Sequence, residues 1–211
     1  MAQRLSVFID GSNLYHILKE VHGRTDLDFH AFVNLFGPSP KGERSLNPVH
    51  YYNSIIDRGR YPRTYARQQR FYANLQKIQI PSFIIYRGRI EHHGDLKYKC
   101  RGCEDIISVS EQICPNCGLP ETLQDSVEKG VDVSLAVDMV EGAYNNEYDV
   151  CLLVSEDSDF VPALKAVKKM GKITELAVLT HKTRRRGYHL IKTVHWTHYV
   201  QPQDLTWLRA P

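Results

Sequence analysis

The sequence lacks the features that mark membrane-spanning, secreted or low-complexity chains. None of its apolar runs approaches the roughly 20 residues that a membrane-crossing helix needs, and it has no internal repeat or low-complexity tract. The first apolar run, residues 5–9, ends at Asp10, unlike the core of a secretory signal. We therefore expect a cytoplasmic chain that does not contact a membrane.

Motifs of two common enzyme classes are also missing. No GxGxxG follows the first apolar run, which argues against a dinucleotide-binding enzyme. No second acid stands two residues after Asp10, which weakens an assignment as a phosphatase or phosphotransferase. The 211 residues, 42% hydrophobic and 24% charged, fit one globular α/β domain that carries a small module.

Charge is distributed unevenly along the chain. The net charge is +3, but residues 58–103 hold 11 basic and two acidic side chains, and the remainder is acidic. Five arginines of this block lie close together: Arg58, Arg60, Arg63, Arg67 and Arg70. Two interpretations remain open, a binding surface for a polyanion and ordinary solvated helix faces.

Short apolar runs alternate with helical patterns. Strands are predicted at residues 5–9, 49–55, 83–86, 150–154 and 176–179, and helices at 14–21, 61–75, 131–143 and 160–170. In the second helix, Tyr61, Tyr65, Tyr72 and Leu75 share one stripe, so we expect them in the core. Continuous apolar strands indicate burial on both faces, and therefore a mostly parallel sheet between two layers of helices.

Four cysteines interrupt this alternation. Cys100 and Cys103 form one CxxC pair, and Cys114 and Cys117 form a second. Two such pairs can close a tetrahedral Zn²⁺ site, whose metal would supply the folding energy of a short insert. Two disulfides or a redox pair are the alternatives, and disulfides do not suit a chain without a secretion signal. Cys151 lies in a predicted strand and is interpreted as core.

The predicted zinc ribbon divides the chain. We expect the α/β domain to comprise residues 1–92 and 123–200, the four-cysteine insert residues 93–122, and a tail residues 201–211. Since thiolates fill all four zinc positions, the insert would be structural and would leave no open position for catalysis. It would shape the fold or contact a partner, either another protein or a second copy of the chain.

Four aspartates occupy sequence positions that a parallel sheet would bring to its ligand-binding edge. Asp10 and the pair Asp157 and Asp159 follow predicted strands, and Asp132 lies in the first turn of a helix. Each alone has a structural interpretation, as a helix cap or a favourable charge at a helix start. Together they would repel one another, and a divalent cation such as Mg²⁺ or Mn²⁺ removes that conflict.

At these residues the sequence resembles a known family. The segments VFIDGSNLY, KGVDVSLAVDMV and LLVSEDSDFVPALKAVKKMGK are similar to those of NYN domains, in particular the LabA-like branch of the PIN-like nuclease superfamily. The resemblance implies a Rossmann-like, three-layer PIN fold and metal-dependent cleavage of RNA. It also implies that Asp10, Asp132 and Asp157 are the catalytic metal ligands, and that Asp159 is a further ligand or holds a metal-bound water. The predicted zinc-ribbon insert lies outside the usual pattern.

Neighbouring polar residues complete the predicted site. Asn13 would position a phosphate or a metal ligand, and Ser12 and Ser155 would bind a phosphate or orient a carboxylate, with a helix cap as the alternative for Ser12. Glu156 stands where the family usually has glycine, so it either joins the site or crowds it. We interpret Asp138 as structural or as support for a ligand.

A basic segment that precedes the tail is predicted to contact the substrate. Arg184, Arg185 and Arg186 are consecutive and cannot all face a core, so we expect them to contact phosphates of RNA. The leading hypothesis is therefore a metal-dependent endoribonuclease. The alternative is a non-catalytic module of the same fold that binds RNA or a protein.

Overall fold

The computed structural model describes residues 2–37, 44–59, 61–99, 105–109, 111–113, 120–122, 124–179 and 187–208. Within these residues lie ten β-strands: β1 (Gln3–Asp10), β2 (Arg44–Ser54), β3 (Phe83–Lys99), β4 (Ile106–Val109), β5 (Glu111–Ile113), β6 (Pro120–Thr122), β7 (Gln124–Lys129), β8 (Val150–Val154), β9 (Ile173–Val178) and β10 (Trp196–Tyr199).

The same residues contain six α-helices: α1 (Gly11–Ile17), α2 (Phe29–Asn34), α3 (Pro62–Gln76), α4 (Val131–Tyr144), α5 (Val161–Lys169) and α6 (Tyr188–Thr193). A π-helical turn, Leu18–His22, extends α1, and a 3-10 turn, Ser158–Phe160, precedes α5. None of the described helices combines the length and the apolar character that a membrane crossing requires.

Six parallel strands form the centre of the sheet, in the order β10-β9-β8-β1-β2-β3. From β1 the chain proceeds outward through β2 to β3, and it later returns to the other side of β1 at β8. The strand order therefore reverses between β1 and β8, where α/β sheets of this type bind ligands beyond the carboxyl ends of the strands. The predicted mostly parallel α/β fold is confirmed.

Two apolar cores flank the sheet and make the fold three-layered. Along β1, Leu5, Val7 and Ile9 face the core covered by α1, α2 and α3, while Phe8 faces the core covered by α4, α5 and α6. This alternation follows from the two-residue period of a strand. Burial of β8 on both faces explains its unbroken apolar sequence.

The predicted helices and strands agree best with the structure where the apolar periodicity is strong. Strand β8 and helix α3 lie where they were predicted, and Tyr72 and Leu75 are buried. The prediction that Tyr61 packs in the core is wrong, because this residue precedes α3 and its side chain is 49% exposed. Helices α2 and α6 were not predicted.

The third strand is much longer than predicted. Strand β3 continues past the expected start of the insert and pairs antiparallel with β7 and then with β4, while β5 and β6 form a separate pair. The four cysteines of the predicted zinc ribbon, Cys100, Cys103, Cys114 and Cys117, lie outside the described residues.

Candidate active site at the carboxyl edge of the sheet

Asp10 joins the central strand to the first helix. It ends β1, caps α1, and accepts a hydrogen bond at Oδ1 from the backbone N–H of Asn13, with an N–O distance of 3.0 Å. The next residue must be small, because a Cβ on Gly11 would overlap the ring of Tyr51. The IDGSN motif thus holds a buried carboxylate at the switch point.

Ser155 connects Asp10 to the segment that follows β8. Its buried hydroxyl lies 2.9 Å from Asp10 Oδ2, to which it donates, and it accepts a hydrogen bond of 3.1 Å from the backbone N–H of Asp157. This contact fits the predicted orientation of a carboxylate by Ser155, and a phosphate contact stays a prediction. Asp10 and Asp157 consequently lie two hydrogen bonds apart on neighbouring strand ends.

A second hydrogen bond ties the same two segments together. The side-chain oxygen of Asn13 accepts a 3.0 Å hydrogen bond from the backbone N–H of Glu156. Glu156 is buried beside Gly187. Asn13 therefore fixes the SEDSD segment against α1, a contact between residues 143 positions apart that sequence spacing does not reveal.

Asp157 and Asp159 occupy the turn before α5. Asp157 is partly buried and caps the 3-10 turn by accepting a 2.9 Å hydrogen bond from the backbone N–H of Asp159. Asp159 is exposed. The SEDSD segment thus presents one carboxylate held by the backbone and one directed to solvent.

Asp132 lies in the first turn of α4, which packs against β1 and against the 3-10 turn before α5. Its side chain is exposed, and the turn that starts the helix is possible because Gly130 adopts a left-handed conformation with φ of 81°. Asp138, further along α4, accepts a 2.7 Å hydrogen bond from the hydroxyl of buried Tyr52, as expected of a structural residue.

The remaining predicted contacts lie beside this centre or outside the described residues. Ser12 is partly buried and follows Gly11, and the cap of α1 is Asp10 rather than Ser12. Arg184, Arg185 and Arg186 lie outside the described residues and directly precede Gly187 in sequence.

An open cleft of about 360 Å³ adjoins the two strand ends. It is lined by Asn13, Ile17, Glu156, Asp157, Ser158, Gly187, Tyr188 and His189. The ring of Tyr188 is half exposed and could present a flat face to a ligand. The basic and aromatic segment that includes Tyr188 and His189 was predicted to contact phosphates, but its position beside the acidic residues was not predicted.

Burial raises the pKa of two groups in the protein core. Burial raises the pKa of Tyr51 above its ordinary value, with the charges of Tyr72 and Asp10 acting in the same direction, so this phenol stays protonated. Burial also raises the pKa of the Cys151 thiol to about 12. Cys151 is therefore an inert core residue, as predicted.

The arrangement supplies hard oxygen donors without a complete ligand set. Among the described residues, no group of three or more histidine, cysteine, aspartate or glutamate side chains is placed to hold a metal ion. Asp157 nevertheless lines the open cleft, and the buried carboxylate of Asp10 is joined to Asp157 through Ser155. Mg²⁺ suits such a site, because it commonly binds proteins through one or two carboxylates and completes its shell with water and substrate phosphates.

Comparisons with known proteins agree with the fold and the motifs. Among curated proteins, no significant match to the sequence was found. The fold is similar to the crystal structure of a protein of unknown function from Vibrio parahaemolyticus, with a TM-score of 0.59 and 16% identity over 97% of each chain. Residues 4–195 match the NYN domain. The chain therefore belongs to the NYN domain family, within the PIN-like nuclease superfamily.

Proposed function

We propose that this chain is a metal-dependent endoribonuclease with its active site at the carboxyl ends of β1 and β8. The observation that carries the proposal is the hydrogen-bonded series Asp10–Ser155–Asp157, which holds two acidic residues at the switch point of the sheet. Family membership supports RNA as the substrate, and the order of the three motifs supports the LabA-like branch.

The residues present fit a divalent cation. Asp10 accepts hydrogen bonds at both carboxylate oxygens, and carboxylate oxygens are the ligands that hard divalent cations prefer. We infer that Asp10 and Asp157 would hold Mg²⁺ or Mn²⁺, with Asp132 and Asp159 contributing from the adjoining turns. The chemistry that such a cation supplies is activation of water and stabilisation of the leaving oxygen of a phosphodiester.

The protein's own groups would orient these carboxylates and the substrate. Ser155 fixes the rotamer of Asp10, and Asn13 holds the backbone at Glu156. Hydrogen bonds that orient a carboxylate and the neighbouring backbone through the protein's own groups are typical of a preorganised site. Tyr188 lines the same cleft with its ring half exposed, and Lys192 Nζ lies over one face, 4.3 Å from the ring centroid. We infer that the other face stacks an unpaired base and that the preceding arginines contact phosphates.

The direct test is cleavage of end-labelled RNA that contains both single-stranded and hairpin regions. We expect internal cuts with added Mg²⁺ or Mn²⁺ and none when divalent cations are omitted. Omission is preferable to EDTA, which would also remove zinc from a labile site. Intact RNA under every metal, with the protein folded and bound to RNA, would instead establish the non-catalytic module.

We also propose that Cys100, Cys103, Cys114 and Cys117 bind one structural Zn²⁺. The support is their spacing, together with β3, which ends at Lys99 directly before Cys100. The purified protein should contain about one zinc per chain by elemental mass spectrometry. Cys114→Ser/Cys117→Ser should lose it, whereas the matched control Cys151→Ala, in the core, should retain it. Intact-mass evidence for two disulfides would contradict the assignment.

A further inference from the structure

Helix α3, together with the residue that caps its end, carries a row of cations on its outer surface. The row consists of Arg63, Arg67, Arg70 and Lys77, which we call the basic stripe. Its members follow one another at intervals of four, three and seven residues, so they lie along one line of the helix. All four side chains are exposed, whereas Tyr72 and Leu75, on the other side of α3, are buried in the core.

No local carboxylate compensates the charge of the basic stripe. Residues 58–90 contain eight arginine and lysine residues and no aspartate or glutamate. Among the side chains that the structure describes, none of the four cations forms an ion pair. Like charges one helical turn apart are unfavourable for a helix. The basic stripe is therefore destabilising on its own, and a bound polyanion would relieve the repulsion.

Gln68 fixes the first half of α3 at the carboxyl edge of the sheet. Its side-chain amide donates a 2.7 Å hydrogen bond to the carbonyl of Ser54, the last residue of β2, and its oxygen accepts a 3.0 Å hydrogen bond from the N–H of Ile56. Strand β2 is the neighbour of β1, with Tyr52 paired with Asp10. The basic stripe therefore begins at the edge of the sheet that holds the acidic centre.

The direction of the basic stripe follows from the strand connections. Because β2 and β3 are parallel, α3 between them runs from the carboxyl edge back towards the amino edge. Each helical turn advances about 5.4 Å, so the stripe offers a regular row of cations that leads away from the acidic centre. A strand bound in that centre can continue along this row.

The chemistry of the basic stripe favours a nucleic acid over a lipid surface. Three of its four members are arginines, whose planar forks suit phosphate oxygens. Helices that bind membrane surfaces bury an apolar face in the lipid. The apolar side of α3 is already packed in the protein core, through Tyr72 and Leu75, and leaves only charge for a partner.

We propose that the basic stripe binds phosphates of an RNA strand that passes along α3 to or from the acidic centre. The proposal rests on the proposed function, and it adds a binding surface outside the cleft that holds Asp157. Contacts to phosphates carry no sequence information directly. The basic stripe would therefore supply affinity and salt dependence for RNA of any sequence.

The test measures binding of a fluorescein-labelled 20-nucleotide oligouridylate by Asp10→Asn protein, so that turnover does not interfere. Arg67→Gln/Arg70→Gln, made in this background, should weaken binding about tenfold or more at about 0.15 M salt. The slope of log affinity against log salt should become less negative by about 1.4, since each single-strand phosphate contact contributes about 0.7. Addition of Arg63→Gln should bring this change to about 2.1.

A matched control separates the basic stripe from charge in general. Lys165→Gln/Lys169→Gln removes two exposed charges from α5, which covers the other face of the sheet, and should change neither affinity nor slope. Glutamine is nearly as good a helix former as arginine, so the variants should keep α3. If circular dichroism shows that the double variant is unfolded, Arg67→Gln alone should still reduce the slope by about 0.7.

The outcomes distinguish failure of this proposal from failure of the proposed function. An unchanged slope in a protein that cleaves RNA would overturn the basic stripe alone. A reduced slope in a protein that cleaves no RNA under any metal would support the basic stripe and reject the nuclease. Binding of polyglutamate that the double variant loses, together with unchanged binding of RNA, would overturn the RNA assignment in favour of an acidic protein.

Discussion

Replacing Asp10 by asparagine should lower RNA cleavage by about 10³-fold or more while leaving the protein folded. The substitution removes the negative charge that would hold the divalent cation, and a loss of about 4 kcal/mol of transition-state stabilisation corresponds to this factor. Asparagine keeps an oxygen that can cap α1, and it is as good an N-cap as aspartate. Initial cleavage rates at saturating Mg²⁺ measure the effect directly.

Asp28 provides a matched control for this substitution. It caps α2 with the same backbone conformation as Asp10, φ of −76° and ψ of 99°, and accepts a 3.0 Å hydrogen bond from the N–H of Ala31. It precedes α2 and is not part of the acidic site. Asp28→Asn should therefore retain full activity and near-normal stability.

The comparison of the two variants decides between a chemical and a structural role. Equal cleavage by wild-type protein and Asp10→Asn, from preparations shown to be free of contaminating nuclease, would reject the assigned site. If Asp10→Asn and Asp28→Asn lost activity together, in proportion to their unfolding, Asp10 would be a helix cap alone. Only a selective loss at Asp10 agrees with a metal ligand.

The sequence allowed prediction of the sheet and of the acidic centre for the same physical reason. Unbroken apolar runs such as β8 can be buried on both faces only in a parallel sheet covered by helices. Once that architecture is assumed, residues that directly follow strands must meet at one edge. Asp10, Ser155 and Asp157 were therefore identifiable before their hydrogen bonds were known.

Contacts that depend on register and edge pairing escaped prediction. Arg89 lies opposite Lys129 because β7 returns antiparallel along β3, and periodicity does not specify this pairing. Helix α2 is only six residues long, too short for a clear apolar period. Tyr61 fits the stripe of α3 by spacing, but it precedes the helix and is exposed.

A second contact that depends on strand order, and that was not predicted, leads to the largest expected loss in the free energy of unfolding. Arg44, at the start of β2, donates two hydrogen bonds of 2.7 and 3.0 Å to Glu175 in β9, although β1 and β8 lie between these strands. The two side chains are only 6% and 4% exposed. Glu175→Gln should destabilise the protein by about 3–5 kcal/mol, since it leaves the buried charge of Arg44 without its partner.

Urea unfolding at neutral pH measures this loss, and a surface ion pair supplies the control. Arg4 and Asp149 also form a 2.8 Å ion pair, but their side chains are 37% and 39% exposed. Asp149→Asn should cost about 1 kcal/mol or less, because water already solvates and screens exposed charges. Equal losses in the two variants would contradict the interpretation that burial of the Arg44–Glu175 pair sets its energetic importance.

The effect of Glu175→Gln should also depend on pH with a definite sign. Burial alone would raise the pKa of Glu175, but hydrogen bonds from His198 and Arg44 outweigh it and hold that pKa below its ordinary value. A carboxylate of this kind stabilises the folded state above the ordinary glutamate pKa, about 4.3, and loses that contribution as pH falls through its folded pKa. The stability difference between wild type and Glu175→Gln should therefore be constant near neutrality and shrink in acid. A difference that grew as pH fell would show that Glu175 is protonated in the folded protein.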